Sequence, residues 1–283
     1  MTERTYQTVS GCIHYWVNMV DPAEPGLVFL PGLTADHRLF DRQIEYFEGR
    51  RNVLVWDAPG HGLSWPFTFD FDFMGCAGWL HGILEQEHIL RPVIVGQSIG
   101  GLLGQAFAER YPDLLKGFVA INSAPLQRKY MTSRGLWLLR RMETMYRLYP
   151  WKSMLRAASR GVAVTDYGQK LMRDMLLTYA ANPARNHQVA GHGFRMLADA
   201  MEEDLPCALP CPALLICGEE DRIRSIRAFN RAWHKETQIP LRWIKNAGHN
   251  ANTDQPEIVN SLIEAFLKDL EGDGDVLLGL GRA

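Results

Sequence analysis

The residues with the clearest chemical potential lie in the segment VIVGQSIGG, in which Gly96, Ser98 and Gly100 form a G-x-S-x-G motif. The motif follows an apolar strand-like run and precedes a helix-like stretch, so it predicts a sharp strand-to-helix turn. Such a turn strains the serine backbone, and it needs glycines because neighbouring side chains would collide with it. The helix N-terminus behind the hydroxyl favours negative charge. We therefore predict that Ser98 is a nucleophile.

A serine hydroxyl is a weak nucleophile unless a base accepts its proton and a third group orients that base. Among the nine histidines, His249 has the most suitable position, in the polar loop AGHNANTDQP between a predicted strand and the last predicted helix. A loop at the carboxyl edge of a parallel sheet can reach a turn at the same edge. The competing histidines are His61 in a PGHG turn, His81 and His88 in a helix-like stretch, and His187 and His192 in the inserted segment 127–205.

The acid that would orient His249 is expected after the preceding strand, in the segment ALLICGEED. Three adjacent carboxylates stand there, Glu219, Glu220 and Asp221. Asp221 comes far enough around the turn after Gly218 to face His249, so we predict Asp221 as the acid and keep Glu220 as the alternative. The resulting chain order of serine, acid and histidine is typical of this kind of turn.

Short apolar runs alternate with amphipathic stretches along most of the chain. Residues 5–9 and 12–19 predict an opening antiparallel hairpin. The later runs are apolar throughout, which is typical of parallel strands covered by helices on both faces. These runs are 26–32, 52–60, 92–98, 117–123 and 213–221, and the helix-like stretches are 38–48, 72–88, 100–110, 225–236 and 256–270. We predict an α/β protein with a mostly parallel, doubly wound sheet.

One interval breaks this alternation and is expected to form a helical cap. Residues 127–205 contain no strand-like run, and their helix-like stretches are 134–149, 152–160, 166–180 and 194–203. Residues 1–126 and 206–283 would then form the core. Within 127–161 the acidic residue is Glu143, and the nine basic residues are Arg128, Lys129, Arg134, Arg140, Arg141, Arg147, Lys152, Arg156 and Arg160.

Composition excludes several classes of protein. The 283 residues are 47% hydrophobic and 22% charged, which is typical of a globular chain. Thirty Lys and Arg residues against 32 Asp and Glu leave no basic excess, so no nucleic-acid partner is expected. No apolar run approaches the ~20 residues of a transmembrane segment. The five cysteines form no zinc-type spacing, so we expect free thiols, no metal site and a cytoplasmic location.

Five segments in order resemble the signature segments of the α/β-hydrolase superfamily, and in particular its cap-bearing esterase, lipase and C–C hydrolase-like branch. The segments are FLPGLTADHRLFD, WDAPGHGLS, VGQSIGG, GEED and AGHNANTDQP, within residues 5 to 270. The resemblance implies Ser98 as nucleophile, Asp221 as acid, His249 as base, and an oxyanion hole formed by the backbone N–H groups of Leu33 and Ile99. The family's usual His-Gly after the first buried strand is replaced here by Pro31-Gly32.

These observations together predict a serine hydrolase that cleaves the carboxylic ester of a small or medium, largely apolar substrate, with no cofactor. The same triad also serves lactone, amide, thioester and C–C bond hydrolysis and cofactor-free haloperoxidase chemistry, and a non-catalytic receptor of the same fold is a further alternative. In the amphipathic stretch 134–149, we expect an acyl pocket lined by Trp137, Met142, Met145 and Tyr146. The basic face of this stretch is either solvated or contacts a membrane surface or an anionic substrate.

Overall fold

The computed structural model describes residues 1–205 and 209–272. Cys207 and residues 273–283, which belong to the predicted core segment, lie outside this range. Eight strands form one sheet in the order β1-β2-β4-β3-β5-β6-β7-β8. The β1–β2 and β2–β4 pairs are antiparallel, and the other pairs are parallel. The strands are β1 (Thr2–Gln7), β2 (Cys12–Asn18), β3 (Gly26–Leu30), β4 (Asn52–Trp56), β5 (Val93–Gln97), β6 (Gly117–Ile121), β7 (Ala213–Gly218) and β8 (Leu241–Ile244).

Helices cover both faces of the sheet, which explains why the central strands are apolar at nearly every position. Every residue of β3 to β6 is buried. The helices of the core are α1 (Asp41–Phe47), α2 (Phe73–Gln86), α3 (Ile99–Arg110), α9 (Arg224–Thr237), α10 (Ala251–Asp254) and α11 (Pro256–Glu271). Side chains of α2, α3 and α9 pack on one face, and those of α1 and α11 pack on the other. The predicted α/β fold with a mostly parallel, doubly wound sheet is confirmed.

The chain between β6 and β7 is helical wherever the structure describes a regular element. Its α-helices are α4 (Ser133–Leu139), α5 (Met142–Leu148), α6 (Trp151–Val162), α7 (Asp166–Leu177) and α8 (Pro183–Glu203). Helices α4 and α5 pack on α8, whereas α6 packs on α7. We call these two groups the α4–α5–α8 half and the α6–α7 half of the cap. No helix in the described ranges is both long and apolar enough to cross a membrane.

The structure corrects two details of the helices expected in the cap. The stretch 134–149 is two helices, because the first ends at Leu139 and the Arg141 N–H then bonds to the Leu138 carbonyl. At the break, the side chain of Arg140 pairs with Asp199 and Glu202 of α8. Both short helices can therefore pack along α8. The helix expected at 194–203 begins eleven residues earlier, at Pro183, a residue favoured in the first turn of a helix.

Candidate active site

The turn after β5 holds Ser98 in a strained backbone conformation, with φ of +52° and ψ of −118°. Its glycines are required by close backbone contacts. A Cβ on Gly100 would lie 1.9 Å from the Leu30 carbonyl oxygen, and one on Gly96 would lie 2.4 Å from the Gly100 backbone. The Ser98 N–H donates to the Ile121 carbonyl at 2.9 Å. The serine is therefore fixed between two strands at the carboxyl edge of the sheet.

His249 and Asp221 form a buried pair at the same edge. Nδ1 of His249 lies 2.8 Å from Oδ2 of Asp221, and the two residues are 5% and 1% exposed. Since a carboxylate oxygen only accepts, we assign the hydrogen to Nδ1, which leaves Nε2 as the acceptor. His249 lines the cavity that also contains Ser98. Among the described residues, Glu220, the alternative acid, forms no ion pair with His249, and it is solvent-exposed.

Two further donors hold Asp221, and one of them was missed by the sequence analysis. Asn122 Nδ2 donates to Oδ2 at 2.7 Å, and the Ile223 N–H donates to Oδ1 at 2.8 Å. Asn122 directly follows β6 and has φ of +47°. Its position after a buried parallel strand was a detectable signal, because such positions meet at one edge of the sheet. Asn122 thus helps to hold the Asp221 side chain beside His249.

The loop of His249 is tied to the α6–α7 half of the cap through Asp254. Its Oδ2 accepts from the Gly248 N–H at 2.8 Å, and its Oδ1 accepts from the N–H and the hydroxyl of Thr165 at 2.9 and 2.7 Å. The Asn250 N–H also donates to the Val162 carbonyl at 2.7 Å. These contacts hold the cap at a fixed position relative to the proposed base.

A cavity of about 330 Å³ lies above the turn between the sheet edge and the cap. Leu33 and Ile99 both line it beside Ser98. The N–H of Ile99 opens α3 and so has no partner within the helix. A Cβ on Gly32 would lie 2.1 Å from Oε1 of Gln97, so glycine lets the loop of Leu33 approach the turn closely. The Pro31-Gly32 pair keeps the glycine that this approach requires.

The structure separates the four residues predicted to line an acyl pocket. Tyr146 lines the cavity that contains Ser98. Met142 and Met145 instead line a groove on the outside of the cap. Trp137 is 51% exposed, and its ring lies 3.9 Å from the guanidinium carbon of Arg141. The fully buried residue of α4 is Leu136, which packs on α8. The cap residues that line the cavity besides Tyr146 are Met131, Leu139, Ala158, Val162, Met172, Gly193, Phe194, Leu197 and Met201.

Two other histidines are buried beside the site without joining it. His61 and His192 line a small cavity of about 40 Å³, which shares Leu33 and Ile99 with the larger one. Nδ1 of His61 lies 3.1 Å from the Pro59 carbonyl oxygen, so this nitrogen is the donor. Burial lowers the pKa of His61, and it lowers the pKa of His192 to about 4. Both rings are therefore neutral near pH 7.

One cluster has the composition of a metal site. Asp36, His37 and Asp57 each place a potential ligand atom within 4.8 Å of the others. However, Oδ1 of Asp57 accepts from N and Nδ1 of His37, both at 2.8 Å, and its Oδ2 accepts from the Leu63 N–H at 2.7 Å. Asp36 forms a bidentate pair with Arg38. Protein donors thus occupy these oxygens, and the cluster joins the loop after β4 to the loop after β3.

Comparison with known proteins identifies the family to which this chain belongs. The model of the alpha/beta hydrolase family matches residues 27–262. An uncharacterized hydrolase, YugF, of Bacillus subtilis is 24% identical over 92% of this chain and 96% of its own length. A 2-succinyl-6-hydroxy-2,4-cyclohexadiene-1-carboxylate synthase of Citrobacter koseri is 28% identical over 86% of this chain and 94% of its own. The structure of a thermophilic esterase from Thermogutta terrifontis superposes with a TM-score of 0.77 at 21% identity, covering 95% of this chain and 99% of that one. Because the family model spans most of the sheet and the whole cap, the chain belongs to the alpha/beta hydrolase family.

Proposed function

We propose that this enzyme is a serine hydrolase that cleaves carboxylic esters of largely apolar substrates. The observation that carries the proposal is the buried Asp221–His249 pair, whose histidine lines the same cavity as the strained Ser98. This arrangement leaves Nε2 of the histidine as the acceptor for the serine proton. Such an arrangement of nucleophile, base and orienting acid performs acyl transfer on several unrelated folds.

In this mechanism, Oγ of Ser98 attacks the ester carbonyl carbon while His249 takes the hydroxyl proton. The backbone N–H groups of Leu33 and Ile99 donate to the developing oxyanion, and each such donor stabilises the transition state by ~3 kcal/mol. The imidazolium, stabilised by Asp221, then gives its proton to the leaving alcohol. Water, deprotonated by His249, attacks the acyl-enzyme and releases the acid and the free Ser98 hydroxyl.

The cavity wall supports an uncharged substrate. Its volume of about 330 Å³ lies in the range of small-ligand sites. Its described lining residues include many aliphatic and aromatic side chains, but no Lys, Arg, Asp or Glu. A ligand with a free carboxylate, such as the product in the name of the Citrobacter relative, would need a cation in the wall. The described wall therefore favours an apolar acyl or alcohol group.

The test compares the wild type with Ser98→Ala and with Ser225→Ala, a serine in the same cavity but outside the turn. A fluorophosphonate probe should label the wild type and Ser225→Ala but not Ser98→Ala. Turnover of p-nitrophenyl esters of increasing acyl length should follow the same pattern, with parallel lactone and amide panels to identify the preferred bond. Labelling or normal turnover in a folded Ser98→Ala protein would overturn the proposed nucleophile.

A further inference from the structure

An apolar groove runs along the outside of the cap next to the proposed active site. Its volume is about 250 Å³, and it lies between one face of α5 and one face of α6. The α5 side carries Met142, Met145, Tyr146 and Tyr149, whose spacing of three and four residues places them on one helix face. The α6 side carries Met154, Ala157 and Ala158, at the same spacing.

Two residues connect this groove to the site. Tyr146 and Ala158 line both the external groove and the cavity that contains Ser98. They belong to the two halves of the cap, since α5 packs on α8 and α6 packs on α7. Tyr146 and Ala158 therefore form the wall between the groove and the cavity, at the junction of the two halves.

The surface around the groove is both apolar and basic. Five of the large hydrophobic side chains that are exposed in the structure lie within thirteen residues of sequence: Trp137, Leu138, Met145, Leu148 and Tyr149. Six exposed cations lie in the same helices or close to them in sequence and form no ion pair within the described ranges: Arg134, Arg141, Arg147, Lys152, Arg156 and Arg160. The local carboxylate, Glu143, is paired with Arg195 of α8. This surface, which we call the basic cap face, carries an unneutralised positive charge.

We propose that the basic cap face binds the surface of an anionic lipid bilayer, and that apolar esters pass from the bilayer between Tyr146 and Ala158 into the cavity. Interfacial helices combine exposed large apolar residues with surrounding cations, because the former enter the acyl boundary and the latter contact anionic headgroups. An acidic protein partner would account for the charge alone. It would leave unexplained why the apolar groove adjoins the cavity. The second clause of this proposal rests on the proposed esterase function, whereas the first does not.

The binding test uses the full chain with Ser98→Ala, so that no turnover disturbs the lipid. Sedimentation should detect binding to mixed phosphatidylcholine–phosphatidylglycerol vesicles, weaker binding at high salt, and little binding to pure phosphatidylcholine. The variant Arg147→Glu/Lys152→Glu/Arg156→Glu should bind roughly two orders of magnitude more weakly, at about a fivefold loss for each of the three cations removed near an anionic surface.

The matched control reverses three exposed lysines outside the cap, in Lys235→Glu/Lys245→Glu/Lys268→Glu, with the same change in net charge. It should retain most of the vesicle binding. Equal losses in both triple variants would show a response to net charge alone and would overturn the proposal. No selective binding to anionic vesicles, or binding to an acidic protein only, would overturn it as well.

The route is tested with active enzyme and two esters, a long-chain ester embedded in the vesicles and a short water-soluble one. Tyr146→Ala should raise the ratio of the two rates, and Tyr146→Trp should lower it, because the side chain narrows the passage. Phe229→Ala, which changes the cavity wall but neither the groove nor the basic cap face, should leave the ratio nearer to that of the wild type. An unchanged ratio in both Tyr146 variants would overturn the route. Loss of turnover on both esters in the wild type, with vesicle binding intact, would instead overturn the esterase function alone.

Discussion

Replacing the proposed acid by its amide tests how the site holds the histidine. Oδ2 of Asp221 accepts from His249 Nδ1 at 2.8 Å and from Asn122 Nδ2 at 2.7 Å, whereas Oδ1 accepts only from the Ile223 N–H among the hydrogen bonds of the described residues. In Asp221→Asn, one oxygen becomes an NH2 group. At the Oδ1 position, the NH2 group would face only the Ile223 N–H, which is also a donor. At the Oδ2 position, it would face the donor Nδ2 of Asn122 and would force His249 into the tautomer with hydrogen on Nε2. We therefore expect the amide oxygen to stay at the Oδ2 position.

The expected loss in Asp221→Asn then comes from the missing negative charge and not from a wrong tautomer. Two unit charges ~4 Å apart interact by about 4 kcal/mol at an effective dielectric constant of 20, which limits the loss of kcat/KM to about 10³-fold. A wrong tautomer in a Ser-His-Asp triad lowers kcat by about 10⁴-fold. Asn122→Gly removes the second donor, and the φ of +47° at this position suits glycine. The double variant Asp221→Asn/Asn122→Gly should therefore reach the larger loss.

Two measurements test this reasoning on four proteins: the wild type, the two single variants and the double variant. Their kcat/KM values on a soluble p-nitrophenyl ester give the losses. The ¹⁵N shifts of His249 report which ring nitrogen carries the hydrogen. We expect the Nδ1–H tautomer in the wild type and in both single variants, and the Nε2–H tautomer in the double variant. A wrong tautomer in Asp221→Asn alone, or an unchanged tautomer in the double variant, would refute the orienting role of Asn122.

Three further predictions follow from buried contacts. In Asp254→Asn, the new NH2 group faces a buried N–H donor with which it cannot form a hydrogen bond. The free energy of unfolding should therefore fall by about 1–3 kcal/mol, and kcat should fall with it. An unchanged Tm and kcat would contradict the role of Asp254 in joining the His249 loop to the cap. Gly100→Ala should destabilise the protein strongly, because its Cβ would lie 1.9 Å from the Leu30 carbonyl oxygen. Gly161→Ala, whose Cβ would have nothing within 4 Å, should instead stabilise α6 by up to ~1 kcal/mol. Urea unfolding measures both variants, and equal effects would contradict the packing argument. The pKa of His192, lowered by burial from 6.5 to about 4, means that the unfolded state binds more protons between these values. The neutral His192 side chain thus contributes to the free energy of unfolding above pH 6.5, and this contribution is lost as the pH falls towards 4, by on the order of 3 kcal/mol. In His192→Phe, the midpoint of urea unfolding should therefore depend less on pH in this acidic range.

Much of the core was predictable because local pattern and sheet geometry act together there. A parallel strand that is buried on both faces is apolar throughout, and its carboxyl end marks the edge where polar residues such as Ser98, Asp221 and His249 meet. The partners Asn122 and Asp254 were not predicted. The place of Asn122 after a buried strand indicates the sheet edge but not the residue that it contacts, and a polar residue in a helix, such as Asp254, gives no indication of a distant contact.

The cap was less predictable, for a related reason. An amphipathic stretch shows that one face is buried but not which surface covers it. The pattern therefore could not distinguish Trp137, which is exposed, from Tyr146, which lines the cavity. The contact of Arg140 with Asp199 of α8 accompanies the break between α4 and α5, and that contact joins residues far apart in sequence. Helix spacing alone could therefore predict the cap but not its interior.

The unequal attachment of the two cap halves has a consequence for how substrate range can change. The α6–α7 half bonds to the loops of both His249 and Asp221, the latter through Arg222 and the Arg160 carbonyl. In the described ranges, the ion pairs of residues 133–148 reach only α8. We therefore expect that sequence changes in α4 and α5 alter the proposed entrance while the loops of His249 and Asp221 keep their positions. Residues 133–148 are thus the segment in which we would place libraries for new specificity.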